Sequence, residues 1–117
     1  MDIPKPIPLF TDVRRKGVLI CDWLGEPLYS RKIPKKYSSG NRRELYAIAT
    51  ALWWVHRGEQ KQIYPSNTSA ISWAAKGKVK KKLYEHEQLN QLAGFCNSLL
   101  NKTESELYYV PEDINLA

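Results

Sequence analysis

Three acids are placed along this chain where chemistry could use them. Asp12 closes a short apolar run, Glu44 opens a helical pattern, and Asp113 follows the last apolar segment. In a mixed α/β sheet, such positions can converge at one sheet edge. Crowded carboxylates repel one another unless a cation lies between them, and Mg2+ accepts oxygen ligands while keeping some of its waters. Two such ions can activate a water and stabilise the leaving oxygen of a phosphodiester. Each acid also has a metal-free reading. Glu44 stands three residues after Asn41, the spacing of a capping box. Asp12 can start the bend at residues 14–17, and Asp113 can be a solvated acid near the end of the chain.

The cationic residues gather in two places. Asn41, Arg42 and Arg43 stand at the same helix start, where two guanidiniums oppose the macrodipole and so hint at a ligand. Asn41 suits both a cap and a contact to a 2′-hydroxyl, the group that separates RNA from DNA. Residues 76–82 carry Lys78, Lys80 and Lys81 beside a glycine hinge, a pattern that suits phosphates or plain solvation. Trp23, Trp53, Trp54 and Trp73 can stack on bases or pack a core. Adjacent Trp53 and Trp54 cannot face the same way on a helix, so one of them belongs near the surface. His56 and His86 have no partner at ligand spacing and read as surface residues on helices.

The elements that must position these groups follow from periodicity. Residues 8–12 form a short apolar run, 14–17 a tight turn, 18–23 a strand, 25–27 a turn and 28–33 a third strand. A polar loop over 35–40 leads to the strongest helical pattern, in which Leu45, Ile48, Ala49, Leu52 and Val55 recur, with Gly58 as its stop. A short strand is predicted over 61–64, broken by Pro65, and a short helix over 68–75. A longer helix over 85–101 has Leu89, Leu92, Ala93, Cys96 and Leu99 or Leu100 as its stripe. Residues 106–110 form the last strand, stopped by Pro111. Three hairpin-connected strands followed by helix–strand alternation predict an α/β fold, with helices packed on a mixed five-stranded sheet.

The bulk properties narrow the class. A chain of 117 residues suits one domain, and 43% hydrophobic with 26% charged residues is ordinary for a soluble globule. No apolar run approaches the roughly 18 residues of a membrane span. Residues 1–8 hold three prolines and lack the apolar stretch of a secretory signal. Cys21 and Cys96 lack metal-ligand spacing and read as buried thiols of a reducing compartment, the cytoplasm, with a disulfide as the alternative. A net charge of +6 favours a polyanionic partner.

Four segments, in order, resemble the type 1 ribonuclease H family. Phe10-Thr11-Asp12 resembles its strand-end T-D, and Asn41-Arg42-Arg43-Glu44-Leu45 its helix start N-R-x-E-L. Residues 63–73, IYPSNTSAISW, resemble I-Y-T-D-S-x-x-A-I-x-W. Tyr109-Val110-Pro111-Glu112-Asp113 resembles x-P-A-D. The resemblance implies a compact ribonuclease-H-like domain over residues 1–117, with the family's closing helix missing or vestigial. It implies that Asp12, Glu44 and Asp113 are metal-binding and catalytic, with Mg2+ or Mn2+ as cofactor.

The departures from the family pattern point the other way. Ser66 stands where the family's second aspartate is expected, and its neighbour Asn67 is also uncharged. Val13 and Arg14 replace the usual glycine and serine, which puts a guanidinium where it could pair with Asp12 and displace a cation. Residues 109–113 contain no histidine. The resulting expectation is a nucleic-acid-binding domain for an RNA–DNA hybrid or other duplex, contacted through Asn41, Arg42, Arg43, Asn67, Lys78, Lys80 and Lys81. Its nuclease site would be impaired and its cofactor optional. The alternatives are an active hybrid-specific endoribonuclease, with Asn67, Ser66 or a water completing the site, and a protein-interaction module whose basic face docks an acidic partner.

Overall fold

The computed structural model describes residues 7–14, 17–38, 40–55, 61–79 and 87–117. Strands β1 (Ile7–Arg14), β2 (Gly17–Asp22) and β3 (Pro27–Lys32) form an antiparallel meander. Helix α1 (Asn41–Trp54), strand β4 (Lys61–Tyr64), helices α2 (Thr68–Lys76) and α3 (Glu87–Thr103) and strand β5 (Glu106–Leu107) follow. The sheet order is β3-β2-β1-β4-β5, with β4 parallel to both β1 and β5. This is the mixed five-stranded α/β sheet that the pattern predicts.

Two local devices set the meander. The Asp22 carboxylate accepts from the Leu24 and Glu26 amides at 2.9 Å each, an Asx-type turn, and Gly25 supplies the left-handed φ of 82° that the turn needs. Gly17, opposite Lys32, allows β3 to close in, because a Cβ there would run into the Arg31 carbonyl. The connection into α1 contains a 3-10 turn at Lys35–Tyr37.

Alternation along β1 divides its side chains between two faces. Leu9, Thr11 and Val13 share a face with Ile20 and Val18 of β2 and pack on α1. Thr11 Oγ1 donates to the Ala47 carbonyl of α1 at 3.1 Å, so its buried hydroxyl is satisfied. Phe10, Asp12 and Arg14 lie on the other face. There Phe10, Tyr64 and Tyr108 stack with centroids 5.2 and 5.6 Å apart. Together with Trp23, Tyr109 and Ile114, Phe10 and Tyr64 border an open groove of about 540 Å3.

Helix α1 is the centre of the core. Its eight residues from Leu45 to Leu52 are all buried, because the helix is enclosed by the sheet, α2 and α3. The Thr50 hydroxyl in that run donates to the Tyr46 carbonyl at 2.8 Å. Trp54 packs against the core, whereas Trp53 is half exposed beside Tyr29 and Arg31. Both cysteines are free and buried. No helix among the described residues is long and apolar enough to cross a membrane.

Candidate functional site

The site forms where β1 and β4 part. Their parallel pairing ends at Phe10↔Tyr64, while β2 continues to hold β1 as far as Arg14↔Gly17. Asp12 therefore lies inside a strand, two residues beyond the fork. Its Oδ1 accepts from the Val13 amide at 2.8 Å. Asp12 is a buried residue, and burial raises its pKa. The Val13 amide opposes that, Glu112 adds to it, and Arg14 lowers it.

Glu44 enters from the first turn of α1. The capping-box reading is corrected by the geometry: Gly40, not Asn41, is the N-cap, and it has no side chain to form the box. Glu44 is partly buried, and its pKa is pushed up to about 7. Burial is the largest cause, followed by the charges of Asp12 and Glu112, with Arg43 opposing them. Local helix chemistry thus leaves Glu44 unexplained, and its facing acids define its surroundings.

A third acid, Glu112, raises the pKa of both Asp12 and Glu44; it is the neighbour of Asp113. Beyond β5 the chain keeps the direction of β4: the Tyr108 amide donates to the Ile63 carbonyl at 2.8 Å and the Val110 amide to the Pro65 carbonyl at 3.0 Å. Pro111 then leads into a 3-10 turn, Glu112–Ile114. Glu112 and Asp113 are both exposed on that turn, and the Glu112 charge acts on both Asp12 and Glu44.

Ser66, just past β4, is occupied by a residue that the pattern did not single out. Its Oγ accepts from Asn115 Nδ2 at 2.8 Å, and the same amide donates to the carbonyls of Thr11 at 3.1 Å and Tyr64 at 3.3 Å. The Asn115 Oδ1 accepts from the Ala117 amide at 2.9 Å. Arg14 donates to the main-chain oxygen of Ala117. Residues 111–117 thus cross from the β5 side over the fork to β1.

A pair of divalent cations, which the family resemblance implies, does not fit this donor set. Ser66 is neutral and committed to Asn115, and Arg14 already brings a positive charge to Asp12. Among the described residues no three His, Cys, Asp or Glu side chains come close enough to hold one ion. Asp12, Glu44 and Asp113 are therefore not gathered as a ligand set.

The expected polynucleotide contacts sort differently. Asn67 caps α2, accepting from the Ala70 amide at 2.8 Å, and its Nδ2 donates to Asn41 Oδ1 at 3.0 Å. This bond ties the starts of α1 and α2 together, with Arg42 and Arg43 on the first of them. Lys78 is exposed just past the other end of α2, where Gly77 leaves the helix in the left-handed region at φ 75°. The nine residues of α2 span about 14 Å, and Lys78 lies past the end of the helix opposite Asn67. Asn97 and Asn90 of α3 hold that exit through the Ala75 carbonyl (2.8 Å) and the Val79 amide (2.6 Å). Lys80, Lys81, His56 and His86 lie outside the described residues.

No family model matches the chain, and no curated protein does. Its structure is similar to that of LC11-RNase H1, isolated from compost by a metagenomic approach. The TM-score is 0.62 at 15% sequence identity, covering 92% of this chain and 86% of that one. At that identity the likeness concerns the fold, which is ribonuclease-H-like.

Proposed function

We propose that this chain is a polynucleotide-binding domain on a ribonuclease-H-like scaffold, with an impaired nuclease site, working in a reducing compartment such as the cytoplasm. The observation that carries this reading is the pairing of two helix starts through Asn41 and Asn67. That pairing presents Arg42 and Arg43 beside an acid site whose fourth position is a neutral, already bonded Ser66. Guanidiniums next to helix N-termini form a phosphate-binding combination. Asn41 and Asn67 offer neutral donors and acceptors of the kind that read a 2′-hydroxyl. The net charge of +6 supports a polyanionic partner.

The test compares the unsubstituted chain with Ser66→Asp on an RNA–DNA hybrid, by gel shift and by cleavage, with Mg2+ and with Mn2+. Both proteins are expected to bind, with affinity falling steeply as salt rises. The unsubstituted chain is expected not to cut. Arg42→Ala with Arg43→Ala should weaken binding about equally across sequences and reduce the salt slope by about 1 to 2. Cleavage by the unsubstituted chain that Asp12→Asn abolishes would establish an active hybrid-specific ribonuclease instead. Absence of both binding and cleavage would leave the fold serving a protein partner.

A further inference from the structure

Where β1 and β4 part, the carbonyls of Thr11 and Tyr64 lose the next rung of the ladder between the strands. Buried carbonyls left without a donor are costly. In this chain one side chain supplies both: the Asn115 amide donates to Thr11 O, Tyr64 O and Ser66 Oγ at 3.1, 3.3 and 2.8 Å. The network also fixes which way the amide points. Turned over, its oxygen would face two carbonyl oxygens and its NH2 would face the Ala117 N–H, which needs an acceptor. An aspartate of the same shape would set a negative charge against these oxygens, a contact that only a cation would relieve.

We infer that the Asn115 carboxamide is a built-in cross-tie that joins the carboxyl ends of β1 and β4 in place of a divalent cation, so that this end of the sheet stands without metal. Arg14 completes the arrangement by reaching Ala117 and fastening the crossing segment to β1. Asn115 is thus a positioning residue: it holds residues 111–117 over the fork and keeps Glu112 near Asp12 and Glu44. The inference is independent of the polynucleotide reading, and its test uses no nucleic acid.

The experiment is thermal unfolding of the full chain in EDTA, in MgCl2 and in MnCl2, beside Asn115→Ala and Asn115→Asp. The unsubstituted protein is expected to melt at the same temperature in all three. Asn115→Ala should melt about 5–10 °C lower in every condition. Asn115→Asp should melt lower in EDTA and recover with either metal. A rise in the melting temperature of the unsubstituted chain on adding metal overturns the inference. So does an alanine variant of unchanged stability, or an aspartate variant indifferent to EDTA. If the aspartate variant does not fold, Mn2+ titrated into the unsubstituted chain decides through water-proton relaxation. No saturable site is expected, and a saturable site lost in Asp12→Asn overturns the inference.

Discussion

Burial and two facing acids make Glu44 the most strained charge of the site. Its pKa, pushed from 4.5 to about 7, means that the folded protein holds this proton more tightly than the unfolded chain does. The group therefore supports folding at acid pH, and that support is lost as pH rises through about 7. Glu44→Gln should accordingly stabilise the protein at pH 8 by about 1 kcal/mol, the full shift being screened by partial exposure. It should change little at pH 4. Urea unfolding at the two pH values checks this, and a loss of stability at pH 8 would refute it. Asp12 and Glu44 were legible in the sequence, one in an apolar run and one at a helix start. The influence of Glu112 on both was not, because adjacent acids in a 3-10 turn carry no periodic signal. Nor was Asn115, whose role depends on two carbonyls brought beside it by strands far away in the chain.

At the scale of elements, ends matter more than middles. The predicted helices and strands are present, and the differences lie at their boundaries. Strand β1 runs on past Asp12 because β2 keeps pairing with it to Arg14. Helix α1 takes Gly40 as its N-cap, which frees Asn41 to meet Asn67. Neither could be read from β1 or α1 alone, since each depends on a neighbouring element. The C-terminus of α3 holds the one described non-glycine residue with positive φ, Glu104 at 55°. The Ser105 amide reaches back to the Leu100 carbonyl at 3.2 Å, closing the helix in a Schellman-like way. Glycine takes this conformation without the Cβ penalty, so Glu104→Gly should stabilise the protein by about 0.5 kcal/mol, after the larger entropy of the unfolded chain is counted. Urea midpoints of the two proteins decide, and a lower midpoint for the variant would show that the Glu104 side chain contributes more than its backbone costs.

Across the whole molecule, the layer order was legible, because hairpin-linked strands followed by helix–strand alternation admit few right-handed arrangements. Cys21 and Cys96 lie on different parts of that core and are both inaccessible to solvent. Burial pushes the Cys96 thiol up to about 12, which removes the reactive thiolate at neutral pH. Both thiols should resist an aromatic disulfide reagent in the native state and react only as the protein opens, with melting unaffected by added reductant. Rapid labelling of either thiol under native conditions would contradict this packing. The fork between β1 and β4 draws on residues 12, 44, 66, 112 and 115, so no short stretch of the chain contains it. Closing it requires contacts between residues more than a hundred positions apart, the kind of long-range closure that folds slowly and late. Occupancy of this region by any ligand is consequently linked to the stability of the entire fold by mass action, and its formation is a marker of complete, rather than partial, folding.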